Sequence, residues 1–92
     1  MNLLDCITRI DSLDPDATLW TREPWTPSSE TAVEVEPDEG GLPPSLAGTG
    51  LVYFLEVDVA LEVLEGFTDQ LKREPTDDEK CARLIRYATD DA

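Results

Sequence analysis

The chain has 92 residues, with 21 acidic and 7 basic side chains and no histidine, so its formal net charge is −14. A chain of this length forms one small domain, and a hydrophobic fraction of 40% is enough for a folded core. The negative charge disfavours binding to nucleic acid or anionic membranes, since phosphate binding needs clustered lysine and arginine. The lack of histidine removes the commonest general base and the commonest zinc ligand.

The first part of the chain predicts one helix and two strands. Apolar residues at helical spacing predict a helix over 3–13, which Pro15 ends. The β-branched and aromatic segment that follows predicts a short strand over 17–21. Valine and glutamate alternate over 31–36, and this pattern is typical of a half-buried strand.

The middle of the chain predicts a long loop and a third strand. Residues 37–50 hold three prolines and four glycines, so we expect an irregular loop that is either functional or mobile. Residues 51–57 are apolar at nearly every position, which is typical of a central strand covered on both faces.

The last part of the chain predicts two amphipathic helices, over 58–73 and 77–89. Asp58 is the expected N-cap of the first. Thr76 and Glu79 have the spacing of a capping box, which predicts that the second begins at Asp77. The resulting fold class is α+β, in the order α-β-β-β-α-α, with a three-stranded, mainly antiparallel sheet and helices packed on one face.

Four acidic residues are expected to follow one side of the helix over 58–73. At about 100° per residue they fall within about 60° of one another, nearly opposite the apolar side. Like-charge neighbours on a helix cost roughly 0.2–0.5 kcal/mol per pair, which is small against roughly 5–15 kcal/mol for a typical fold. Folding tolerates this arrangement without requiring it, so the side is either a solvated face or a binding face for a basic partner. Its members are Asp58, Glu62, Glu65 and Asp69.

A second candidate surface is the side of the sheet that faces away from the helices. Alternation along the predicted strands mixes acidic and apolar residues there, which would suit an interface. Trp25, between Pro24 and Pro27, is a further candidate contact, because tryptophan is common at binding hot spots, although a core position is the alternative. The residues expected on this open side are Glu34, Glu36, Val52, Phe54 and Glu56.

The basic residues of the last helix have the opposite sign. Lys80, Arg83 and Arg86 project from its polar side, and we expect them to pair with the acids of the preceding helix. Such a clasp would satisfy the carboxylates within the molecule. It therefore competes with the binding-face interpretation.

Catalytic and metal chemistry find little support in the sequence. Cys6 and Cys81 lie on the apolar sides of predicted helices, which indicates reduced core thiols, with a disulfide or a metal or redox role as the alternatives. No segment has the ligand spacing of a calcium loop. We expect no enzymatic activity, no catalytic residues, no metal and no cofactor.

The location predicted from the sequence is cytoplasmic. Acidic residues interrupt the short apolar run of residues 1–13, which disfavours a signal peptide, and no apolar stretch reaches the length of a membrane span.

In size, charge and missing catalytic groups the chain resembles bacterial immunity proteins, which neutralise a toxin domain. The resemblance implies a non-enzymatic inhibitor, monomeric or homodimeric, that occludes a basic surface on a toxin, a nuclease domain or another partner protein. Direct binding to nucleic acid or membrane is not expected. One alternative is a DNA-mimic inhibitor of the anti-restriction or anti-CRISPR type. Another is a structural or scaffold domain whose acidity only serves solubility.

Overall fold

Three antiparallel strands and three α-helices make up the fold in a computed structural model that describes residues 1–91. The predicted α+β fold class and the element order are confirmed. Short 3-10 turns cover Ile10–Ser12 and Pro44–Leu46. The regular elements are α1 (Leu3–Thr8), β1 (Thr18–Thr21), β2 (Thr31–Glu34), β3 (Val52–Glu56), α2 (Val57–Leu71) and α3 (Asp77–Asp91).

Several of these elements differ in length from the prediction. The first helix ends at Thr8 rather than 13, because the Arg9 carbonyl accepts from the Ser12 N–H at 2.9 Å and from Ser12 Oγ at 2.7 Å. These hydrogen bonds between residues i and i+3 replace the hydrogen bonds between residues i and i+4 of an α-helix. At the other end of the chain, α2 ends at Leu71 because Lys72 takes the left-handed conformation, with φ of 59°.

The start of α2 also corrects a prediction. The helix begins at Val57, with Glu56 as the N-cap residue and no capping bond from its side chain. Asp58 therefore lies in the first turn, where the helix dipole still favours its charge. In contrast, the predicted capping box of α3 is confirmed. Thr76 N donates to Glu79 Oε1 at 2.9 Å, and Glu79 N donates to Thr76 Oγ1 at 3.1 Å.

The sheet has the order β2-β1-β3, so β1 is the central strand. The prediction that residues 51–57 form the central strand is therefore wrong. Their apolar run has another cause, which is a β-bulge in the pairing of β3 with β1 between Leu19 and Trp20. The bulge adds one residue to β3, so that Phe54 and Leu55 both reach the core.

The three helices share one core with one face of the sheet. Leu19 and Leu55 come from the strands, and the helices contribute the buried residues Ile7, Ala60 and Leu84. The opposite face is partly covered, because the loop over 37–50 places Leu46 beside Trp20 and Leu51 in a second, smaller apolar cluster.

No helix within residues 1–91 has both the length and the apolar character needed to cross a lipid bilayer.

Candidate partner-binding surface

The four acidic residues of α2, here called the acidic row, all lie exposed on the outer side of the helix. They are Asp58, Glu62, Glu65 and Asp69. The opposite side of α2 carries its buried residues Val57, Ala60 and Leu64. The amphipathic pattern of the sequence therefore predicts the exposure of the row correctly.

Within the described part of the chain, no ion pair involves the acidic row. The pairs that form there are Arg22 with Glu30, Arg73 with Glu79, Lys80 with Glu74, and Arg86 with Asp90. The row is therefore a set of solvated carboxylates about one helical turn apart.

The prediction that the basic residues of α3 pair with the acidic row is wrong. Lys80 Nζ lies 2.8 Å from Glu74 Oε1, in the linker before α3, and this bond raises the pKa of Lys80. Arg86 Nε lies 3.6 Å from Asp90 Oδ2, one turn along its own helix. The physical reason is geometric, since α2 turns its apolar side to the core that it shares with α3 and its acidic side to solvent.

Glu34 and Glu56 lie on the same face of the sheet, on either side of the buried Thr18. Thr18 pairs with Glu34 of β2 and with Glu56 of β3. Both glutamates are half-buried, and Glu34 accepts a hydrogen bond from Ser45 Oγ. Glu36 lies beyond the end of β2 and is exposed. Glu34 and Glu56 lie on the predicted open side, part of which the loop over 37–50 covers.

The Tyr53 hydroxyl is close enough to acids of the sheet and to the start of α2 to be affected by both. Partial burial raises the pKa of its hydroxyl, and the negative charges of Glu56, Glu36 and Asp58 add to the rise. Three carboxylates from the two regions are therefore close enough to act on one phenol.

Phe54 does not lie on the open side. Only 2% of its surface is exposed, and its side chain belongs to the main core. The extra residue of the β-bulge reverses the alternation on which the prediction rested, so Tyr53 is exposed instead, at 44%. The Phe54 side chain is therefore not an exposed anchor for a partner on the open side of the sheet.

Trp25 is half-buried and packs edge-to-face against Phe54, with ring centroids 4.9 Å apart and an interplanar angle of 87°. Its Nε1 donates to the Thr21 carbonyl at 3.4 Å. The loop that carries it is held by Ser29, whose Oγ accepts from Thr26 N at 2.8 Å and donates to the Pro24 carbonyl at 3.0 Å. The Trp25 side chain is thus fixed in position, and part of its surface is still accessible.

A groove of about 290 Å³ lies beside β3 and is lined in part by Trp25. Sequence analysis missed five of its residues, which are Tyr53, Leu55, Val59, Tyr87 and Ala88. No local signal identifies them, because the groove forms where β3, α2 and α3 meet. Its lining residues are Trp25, Tyr53, Phe54, Leu55, Glu56, Val59, Tyr87 and Ala88.

The two cysteines are free thiols in the core, as the sequence predicts. Burial raises the pKa of Cys6, and burial with the nearby charge of Asp78 raises the pKa of Cys81 to about 11. Both thiols are therefore protonated at neutral pH. Among residues 1–91, no cluster of three or more cysteine and carboxylate side chains is arranged to hold a metal ion.

Comparison with known proteins identifies no family for the chain. No protein-family model matches it, and no curated protein or solved structure is significantly similar to it. The surface chemistry described above therefore carries the functional argument.

Proposed function

We propose that the protein is a small acidic binding protein that occludes a basic surface on another protein. The observation that supports this proposal is the acidic row, whose four carboxylates are exposed and have no ion-pair partner in the described part of the chain. An immunity-type inhibitor of a toxin or nuclease domain is the specific form that we favour, since the chain resembles that class in size, charge and missing catalytic groups.

The energetics of association favour this use of the row. The carboxylates of the row form no ion pair within the described chain, so lysine and arginine side chains of a partner displace water from them and need not break an intramolecular ion pair. Members of the row lie about 5 Å apart along the helix axis, one helical turn. The net charge of −14 speeds encounter with a cationic surface, and partly exposed aromatic residues such as Trp25 and Tyr53 slow dissociation.

A charge-reversal experiment tests the proposal. The immobilised chain is used to capture its partner from native lysate, and the purified pair is then compared for wild type, for Glu62→Lys with Glu65→Lys, and for Asp38→Lys with Glu39→Lys. Both double variants change the net charge equally, and the second pair is exposed in the loop over 37–50. We expect the α2 variant to weaken binding roughly a hundredfold and the loop variant only a few-fold, with both effects shrinking at high salt.

Equal binding by the two double variants would contradict a role for the acidic row. The unfolding free energy serves as the control, and it should not fall in the α2 variant, because two of the three like-charge neighbour pairs in the row become opposite-charge pairs. Duplex DNA is added in a competition assay. Displacement of the protein by DNA would favour DNA mimicry over occlusion of a protein-specific surface.

A further inference from the structure

The two edges of the sheet are protected differently. The start of β2 is covered by the N-terminal segment, since Thr31 N donates to the Met1 carbonyl at 2.9 Å and Leu3 N donates to the Ser29 carbonyl at 2.8 Å. Pro37 follows shortly after the end of that strand. Natural proteins commonly shield sheet edges with covering segments and prolines.

The outer edge of β3 has a β-bulge but, within residues 1–91, neither a paired segment nor a proline. Within residues 1–91 it pairs with β1 on one side and with no strand on the other. Its sequence contains neither proline nor lysine, and Val52 and Tyr53 are 37% and 44% exposed. An edge of this kind is a ready template for another extended chain.

The groove beside β3 follows this free edge. Four consecutive residues of the strand, 53–56, line it. Phe54 and Leu55 reach the core, whereas Tyr53 and Glu56 lie on the opposite face, so a groove lined by all four runs along the edge of the strand. Trp25, Val59 and Tyr87 supply an apolar wall on the side of the helices.

The charge at this edge selects the chemistry of a binding segment. Glu56 is the one charged residue in the lining, and Asp58 begins the acidic row two residues later. Glu56 lies on the face turned away from the helices. An added strand would therefore meet apolar side chains on one face and the Glu56 carboxylate on the other.

We propose that β3 binds an extended segment of the partner as a fourth antiparallel or parallel strand, in which apolar residues alternate with lysine or arginine. The apolar residues occupy the groove beside Trp25, Val59 and Tyr87, and the basic residues face Glu56. This inference rests on the proposed function and adds to it the conformation and residue pattern of the partner.

Peptide titration tests the inference on the intact chain. The probe is a short synthetic peptide in which lysine and valine alternate, and the readouts are backbone amide shifts, hydrogen exchange and the Trp25 indole signal. We expect shifts and slowed exchange over 53–56, with affinity at least roughly tenfold lower when alternate peptide nitrogens are methylated. A peptide of alternating glutamate and valine should not bind.

Two outcomes would overturn strand addition. One is binding in which shifts are confined to the acidic row, which would leave the proposed occlusion of a basic surface intact. The other is the absence of shifts with the lysine and valine peptide, or equal binding of its methylated form. If the wild-type chain captured no partner protein from lysate, by contrast, that result would count against the proposed function itself.

A matched pair of variants sharpens the test. Val52→Lys adds a positive charge to the free edge, whereas Val35→Lys adds one at an exposed valine beyond β2. We expect the first to weaken peptide binding roughly tenfold and the second to change it little. Equal effects from both would overturn the assignment of the edge, and circular dichroism confirms that both variants are folded.

Discussion

Helices α2 and α3 have the same length and share the same core, yet they differ in whether their charged side chains form ion pairs within the molecule. Each has 15 residues and buries one apolar side. In the first turn of α3, Glu79 forms a capping box with Thr76 and an ion pair with Arg73. The two Nη atoms of Arg73 lie 2.9 and 2.7 Å from the Glu79 carboxylate. The acidic row of α2 has no such partners within the described chain.

This difference separates two roles that an amphipathic helix can combine. Both helices stabilise the fold through their apolar sides. Only α3 also uses its polar side for internal ion pairs, which engage Glu79, Lys80 and Arg86. The polar side of α2 is free to interact with another molecule, and substitutions should reveal this division.

The largest expected effect is common to the two helices. Leu84→Ala in α3 and Leu64→Ala in α2 should each lower the unfolding free energy by about 2–5 kcal/mol, because each creates a cavity in the shared core. Denaturant titration gives the values, and Leu42→Ala, at an exposed loop position, is the control. A negligible loss in only one helix would show that the two do not contribute equally to the core.

The next effect distinguishes the starts of the helices. Thr76→Ala removes the bond from Glu79 N to Thr76 Oγ1 and should lower the unfolding free energy by about 1 kcal/mol. Asp58→Ala should cost less, since the start of α2 has no side-chain cap. Denaturant midpoints measured under one condition compare the two, and a larger loss for the Asp58 variant would contradict this ranking.

The smallest effect depends on pH. Hydrogen bonds from Arg73 and from the Thr76 N–H lower the pKa of Glu79 from 4.5 to about 2. Because the folded pKa is depressed, the stabilisation is complete above about 4.5 and is lost as the pH falls towards 2. The difference in unfolding free energy between wild type and Glu79→Gln should therefore shrink over this range. Arg73→Gln should remove most of the same pH-dependent difference, and its persistence there would contradict the assigned cause.

The local pattern of the sequence was enough to predict the parts of the molecule that depend on near neighbours. Thr76 and Glu79 are three residues apart, so their capping bonds define the start of α3 without reference to the rest of the fold. The exposure of the acidic row likewise follows from a spacing of three and four residues on a helix. The fold class follows from the order of such segments.

The tertiary structure alone decided the strand order, the side taken by Phe54 and the partners of the basic residues. An apolar run fits a central strand as well as an edge strand with a bulge, and one extra residue reverses which side chains face the core. Lys80 pairs with Glu74 rather than with α2, because the packing of the helices determines which charges are within reach. Local periodicity carries no information about these long-range contacts, and the groove beside β3 is built from them.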